Sequence, residues 1–434
     1  MALSGAEFSL KPAEGSSFAF TGTLSGSMHN MQYTEATGFT WNSAEGYPMV
    51  LTGYLIAGDT YVLTEIKAPE GYGLSRESYR FTVTEEGGIE WVGDAPDTKL
   101  AALTDYKEDQ KTLTNQINVY NDLIGISLKK LDVNVPDGSG YQDAEFDLYR
   151  TDENGGLVKI EGLVLRSDEN GVIEIKNTKD QMILMPGVTY SLLETKAPLG
   201  YELADAFTFQ VDEYGSIKEG SISDQETAAA QKDSSVLQVF DKPITVELVK
   251  TDSEGKTIDS SRGEAEFTIT PSENGTFADG STEAITGITP SNIGEMLYAK
   301  LIPGQSYEMA ETKAPDGYKL AKPFTFMVDV KGNITFVSDE KTAKFDQDSS
   351  ILTVLDEQEE PEETEEPTET EKPAKTEKPT ETEKKAETQK SAQSQSENAA
   401  KTADTTQIWL YVLMLCVSGM AGITLLSGRR RRRK

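Results

Sequence analysis

Apolar and polar residues alternate along most of this chain in short runs bounded by glycine, proline, asparagine and aspartate. Ile126, Leu128 and Lys130 fall in step, as do Tyr190, Leu192 and Glu194, and Leu237, Val239 and Asp241. Side chains of an extended strand point to opposite faces in turn, so residues of equal parity share one environment. Each run is therefore predicted to be a strand whose apolar face ends in an ionisable residue. The pattern recurs at Val246, Leu248 and Lys250, at Tyr307, Met309 and Glu311, and at Leu352, Val354 and Asp356. It recurs in part at Tyr61, Leu63 and Glu65 and at Ile117, Val119 and Asn121, with no lysine run to match. Residues 168–171, Asp-Glu-Asn-Gly, lie between the apolar runs 163–165 and 172–175, and predict a hairpin, because Asn-Gly favours the positive φ of a tight connection. A calcium loop would need a ligand spacing and a distal glutamate that this stretch lacks.

The runs repeat at domain scale. Glu194-Thr-Lys-Ala-Pro-Leu-Gly-Tyr201 and Glu311-Thr-Lys-Ala-Pro-Asp-Gly-Tyr318 are near-identical boxes, and Glu65-Ile-Lys-Ala-Pro-Glu-Gly-Tyr72 is a close copy. Their spacing is that of small autonomous domains rather than of a solenoid. Aligning the boxes also aligns residues 5–10 (Gly-Ala-Glu-Phe-Ser-Leu) with 143–148 and 264–269. Three modules follow, over residues 1–122, 123–241 and 242–356. The second and third hold a further strand upstream of that alignment. In the first, it would precede Met1, where no signal-peptide core stands, so a truncated N-terminus is expected. With 17 Tyr, 15 Phe and 36 Gly between β-branched runs, the modules are expected to be all-β.

Past residue 356 the character changes. Residues 357–406 reduce to Glu, Thr, Lys, Pro, Ser and Gln with few apolar side chains, too few to fold, and are expected to form a disordered acidic stalk. At up to ~3 Å per residue it could reach roughly 130 Å. Residues 407–427 hold an uncharged apolar span long enough to cross a bilayer as a helix, followed by a basic tail over 428–434. The positive-inside rule places the tail in the cytoplasm and the modules outside the cell.

The formal net charge of −32 excludes a nucleic-acid binder, which needs a basic face. Cys416, the one cysteine, lies in the apolar span, so no disulfide can staple the modules. His29, the one histidine, rules against a Ser/His/Asp triad or a histidine metal cluster, and neither metal nor cofactor is expected.

A single lysine or glutamate at a strand end usually faces solvent. Recurrence of Lys, Glu and Asp in one order, always on the apolar parity, favours burial instead. Burial disfavours the ammonium and can make a lysine a neutral amine nucleophile. It also favours a protonated glutamate, which can polarise an Asp or Asn carbonyl and carry protons. Attack by the amine then expels water from Asp, or ammonia from Asn, and leaves an isopeptide bond in a single-turnover reaction.

At these residues the chain resembles a known family. The runs Ile126-x-Leu-x-Lys-x-Asp132 and Val246-x-Leu-x-Lys-x-Asp252, the Glu-Thr-Lys-Ala-Pro-x-Gly-Tyr boxes and the closing Val-x-Asp resemble collagen-adhesin B-type domains. These belong with the isopeptide-forming, SpaA-like pilin subunits of Gram-positive bacteria. The resemblance covers roughly residues 5–356 and implies an immunoglobulin-like, prealbumin-like β-sandwich in each module. It implies a Lys130–Asp241 bond assisted by Glu194 and a Lys250–Asp356 bond assisted by Glu311. Glu65 and Asn121 match, but their partner lysine is missing. A cross-link of this span is worth roughly 4 to 5 kcal/mol by loop entropy.

The family's Leu-Pro-x-Thr-Gly sorting signal would fall at residues 399–404, where only Lys401, Thr402 and Asp404 resemble its common form. Ala403 stands in place of the glycine, along with Ala399 and Ala400 at the first two positions. A variant sortase joining the chain to peptidoglycan competes with retention as a single-pass membrane protein. The leading expectation is a surface-anchored structural or adhesive protein, not an enzyme. A basal or accessory pilus subunit is a close relative of that reading, with other pilus subunits as partners, although the chain has no Tyr-Pro-Lys pilin motif. A spacer for a catalytic domain upstream of Met1 is the reading from another class. A host or neighbouring-cell ligand could meet residues 22–60, whose aromatics Tyr33, Phe39, Trp41 and Tyr47 are otherwise expected to pack locally.

Overall fold

A computed structural model describes residues 3–20, 30–108, 111–338, 341–347 and 349–359. The sorting residues Lys401, Thr402 and Ala403, the stalk beyond residue 359, the apolar span and His29 lie outside the described residues. No described helix is long and apolar enough to cross a membrane.

The alternating runs form strands, and their apolar parities collect into three separate hydrophobic cores. In the second, Ile126, Leu128, Tyr190, Leu192, Leu237 and Val239 are all buried. Two sheets enclose it. One joins Leu157–Lys159, Glu145–Thr151, Thr189–Lys196 and Phe207–Gln210 in that order. The other joins Val172–Lys176, Gly125–Asp132, Val236–Asp241 and Ala228–Ala229. A third core is built alike, with Ile285–Ile288, Glu266–Pro271, Ser306–Lys313, Phe324–Val328 and Ile334–Ser338 facing Glu247–Asp252, Ile351–Asp356 and Ala343–Asp346. Packing two sheets over alternating apolar positions is the sandwich solution to burying one face of each.

The strands that open and close the second and third cores lie side by side and parallel, Gly125–Asp132 on Val236–Asp241 and Glu247–Asp252 on Ile351–Asp356. Parallel neighbours need a long crossover, and here the rest of the module supplies it. Around the first core, a six-stranded sheet runs Gln32–Thr34, Gly38–Asn42, Glu7–Pro12, Thr60–Lys67, Ser78–Val83, Ile89–Trp91, and a two-stranded sheet pairs Ala101–Glu108 with Lys111–Val119.

Two expectations need revision or sharpening. Residues 168–171 do turn tightly, with Gly171 at φ 74° and Asp168 Oδ1 accepting from the amides of Asn170 and Val172. They do not join a hairpin: Leu165–Arg166 pairs with Glu145–Thr151 and Val172–Lys176 with Gly125–Asp132, in different sheets. Leu165 and Ile173 must cover the core from opposite sides, so the turn crosses between sheets. Among the aromatics of the first module, Phe39 and Trp41 are buried and Tyr33 packs edge-on to Phe18 and Phe20, while Tyr47 is exposed.

The glycines of the first two boxes each meet the next module. Gly71 O accepts from the amide of Ile124 and from Asn177 Nδ2, and Gly200 O accepts from the amide of Ile244. Gly200 has φ 87°, and a Cβ there would lie 2.1 Å from Ala299 O, so only glycine permits this approach. Tyr298 OH donates to the buried Asp132 at 2.6 Å across the same junction.

Candidate cross-linking site

A β-bulge sets each glutamate. Phe146 pairs with Glu194 while Glu145 pairs with Lys196, so Thr195 is the extra residue. The same slip occurs at Phe8 and Glu65 and at Phe267 and Glu311. Bulges re-aim side chains, and each of these lies where the glutamate turns into the core. One carboxylate oxygen is then fixed by an amide ten residues on: Ala204 N donates to Glu194 Oε2 at 2.7 Å, Ala321 N to Glu311 Oε2 at 2.6 Å, and Ser75 N to Glu65 Oε2 at 3.1 Å.

The other oxygen of Glu194 lies 2.9 Å from Lys130 Nζ, and that of Glu311 lies 3.0 Å from Lys250 Nζ. Each lysine also donates to its aspartate, Lys130 to Asp241 Oδ1 and Lys250 to Asp356 Oδ1. The ladder explains the reach: Lys130 pairs with Val239 and Lys250 with Val354, each two residues before the aspartate and on the same face. Lys130 is 1% exposed and ranks among the largest fully buried side chains, and Lys250 is 4% exposed. The rings of Phe146 and Phe267 lie 5.4 and 5.2 Å from the two ammonium groups. The structure therefore brings Lys130, Glu194 and Asp241 together, and likewise Lys250, Glu311 and Asp356.

Burial raises the Asp241 carboxyl well above the usual aspartate range, against the opposing pull of Lys130. Burial likewise raises Glu311 and Asp356. The remaining oxygens, Asp241 Oδ2 and Asp356 Oδ2, have no hydrogen-bond partner among the described residues. Two carboxylates around one ammonium leave an uncompensated charge in a dry site, which is costly unless a proton taken up by one carboxylate removes it.

In the first module, Glu65 is buried and Asn121 Nδ2 donates to its Oε2 at 2.7 Å and to Gly73 O at 3.0 Å. No lysine joins them among the described residues.

Sequence reasoning missed a tyrosine latch. Tyr190 OH accepts from the amide of Met185 and donates to Ile183 O; Tyr307 OH accepts from the amide of Ile302 and donates to Thr276 O, and Tyr61 OH accepts from the amide of Ile56 and donates to Ser17 O. The signal was present, since each tyrosine stands four residues before its glutamate on the apolar parity. The described residues hold no cluster of His, Cys, Asp and Glu able to bind a metal.

Comparison with known proteins bears on this architecture. A search of curated proteins returns no match. Among solved structures, the Bacillus anthracis TIE protein aligns at 21% identity over 82% of this chain and 48% of its own, with a TM-score of 0.30. The open conformation of the pilus adhesin SpaC from Lactobacillus rhamnosus GG aligns at 15% identity over 82% of this chain and 57% of its own, with a TM-score of 0.26. The shaft pilin spaA from the same bacterium aligns at 16% identity over 54% of this chain and 98% of its own, with a TM-score of 0.20. This chain thus spans about half the length of the first two. The SpaA prealbumin-like fold domain matches three times, over residues 1–95, 125–226 and 244–342. With the matches covering more than half of the sequence, the chain belongs to the SpaA prealbumin-like domain family.

Proposed function

We propose that the chain is a pilin-related structural or adhesive protein of the cell surface whose second and third modules cross-link themselves. The observation that carries this reading is a lysine buried between two carboxylates, repeated in two modules with the same ladder register.

In the second module, a proton passes from the Lys130 ammonium to the neighbouring carboxylates, leaving a neutral amine beside a protonated acid. The Nζ lone pair attacks Asp241 Cγ, and Glu194 accepts the amine proton and returns it to the departing oxygen. One C–N bond forms, one C–O bond breaks and one water leaves. Lys250, Asp356 and Glu311 play the same parts in the third module. The raised Asp241 and Asp356 favour the acid form that an amine can attack. The product amide is neutral, so the reaction replaces the buried Lys130–Asp241 ion pair with an uncharged bond, and a proton taken up by Glu194 would remove the one charge left. Glu194 and Glu311 each act once per bond, and no substrate turns over.

The acidic stalk, apolar span and basic tail extend the reading: the modules would stand outside the cell on a tether. The tether is held in the membrane or joined to peptidoglycan by a sortase acting near Thr402. Neighbouring pilus subunits or a host surface are the partners such a protein would meet.

The test is the intact mass of the full chain in detergent. Loss of two waters is expected, with one regained in Lys130→Ala and one in Lys250→Ala. An unmodified mass would leave two ordinary sandwiches with buried ion triads and overturn the reading.

A further inference from the structure

The modules meet at two joints built on one plan. Two residues past the tyrosine of each of the first two boxes, a backbone amide crosses to a turn of the next module. Leu74 N donates to Glu213 O at 2.8 Å, and Leu203 N to Val330 O at 2.7 Å. The accepting turns are equivalent: Asp212 Oδ1 takes the amides of Tyr214 and Ser216, and Asp329 Oδ1 takes those of Lys331 and Asn333. Each turn also carries a glycine at positive φ, Gly215 in one and Gly332 in the other.

On this shared frame the side chains differ. Four residues past the box tyrosine stands Arg76 in the first module and Asp205 in the second. Arg76 lies 3.9 Å from the ring centroid of Tyr214, donates to Ser216 Oγ, and faces Asp212 at 3.8 Å and Asp233 at 3.2 Å. Asp205 instead accepts from Lys331 Nζ at 2.6 Å, and the same Nζ donates to Leu203 O at 2.7 Å. Tyr214 and Lys331 hold the same place in their turns, two residues after the aspartate. The first joint thus sets a cation of the earlier module against anions of the later one, and the second joint reverses the signs.

We propose that these facing positions, Arg76 with Tyr214 and Asp212, and Asp205 with Lys331, are the specificity determinants of the joints, so that each module accepts the turn of its own successor and repels the other. Backbone bonding cannot discriminate, because both turns offer a carbonyl at the same place. The side chains can. On the third module's turn Arg76 would meet Lys331, and on a second module's turn Asp205 would meet Asp212. Repeated domains are prone to pair with the wrong neighbour, in their own chain or in another copy. Like charge at a wrong joint disfavours that pairing without weakening the right one. The five ionic side chains are 24% to 75% exposed, so each matched pair holds its joint only modestly and acts chiefly by discrimination. The match is independent of the cross-linking chemistry.

Hydrogen exchange of the full chain in detergent tests this at the two amides that cross the joints. Asp205→Arg sets a cation against Lys331 and should speed exchange at Leu203 several-fold, leaving Leu74, whose joint is untouched, at its native rate. Adding Lys331→Tyr rebuilds at the second joint the set found at the first, with Asp329 standing where Asp212 stands. That double variant should return Leu203 to near its native rate. Raised salt should also slow Leu203 in Asp205→Arg, because screening relieves the repulsion. A native rate at Leu203 in Asp205→Arg would overturn the proposal. So would a Leu203 amide that stays fast in the double variant, which would leave Lys331 a support for Leu203 O alone. Exchange in Asp205→Arg that is fast but indifferent to salt would assign the loosening to shape and overturn it too.

Discussion

Replacing Glu194 by glutamine tests whether the carboxyl carries protons or merely fills space. Glutamine matches the shape, can still accept from the amide of Ala204, and leaves Lys130 facing Asp241 as one cation on one anion. The variant is therefore expected to fold but to condense far more slowly, losing one water rather than two from the mass of its own sequence. Lys130 and Asp241 are 111 residues apart, and closing a loop of that size contributes about 5 kcal/mol in the chain-entropy treatment. For a domain of roughly 120 residues, each kcal/mol moves the midpoint by about 4 °C, so the second module should melt about 20 °C lower. Calorimetry of the full chain should show one transition falling while that of the third module stays in place, because the two sites share no partner. Water loss undiminished in Glu194→Gln would refute the role of Glu194. Loss of only one water with an unmoved transition would refute the stabilising role of the bond.

Glu65 gives a pH signature. Burial raises its pKa above the ordinary value of 4.5, so the folded module holds the proton more tightly than the unfolded chain does. The resulting stability is whole below that value and is lost as pH rises through the folded pKa. The first module's melting temperature should fall from mildly acidic to neutral pH, and Glu65→Gln should flatten that slope; a slope unchanged in the variant would assign it to other groups. Gly200→Ala should loosen the junction with the third module by roughly 1 to 3 kcal/mol, since it forces a Cβ into Ala299 O at a positive φ. Faster proteolysis between residues 241 and 247 is expected, and unchanged cleavage would show that the junction yields without cost.

Parity along the sequence was enough to bring Lys130, Glu194 and Asp241 onto one apolar face, because strand alternation is a local property. Which strand lies beside which is not local. Leu165 and Val172 flank a convincing turn signal, yet they join different sheets because each must cover one side of a shared core. The bulges at Glu65, Glu194 and Glu311 were equally hidden, since nothing in Glu-Thr-Lys or Glu-Ile-Lys marks Thr195 or Ile66 as extra. The box glycines were legible as turn residues, but their approach to the following module depends on Ala299 and Met182, far away in sequence.

The parallel arrangement of opening and closing strands also decides how the chain would carry tension. A pull on the second module enters along Gly125–Asp132 and leaves along Val236–Asp241, in the same direction. With Lys130 joined to Asp241, force crosses from one strand to the other through two side chains, and residues 131–240 bear none of it. With Lys250 joined to Asp356, the third module would shield residues 251–355 in the same way. The stressed contour then shortens to the two half-strands and the few residues between Asp241 and Lys250, so these modules would act as a tether of nearly fixed length and release no hidden slack when stretched.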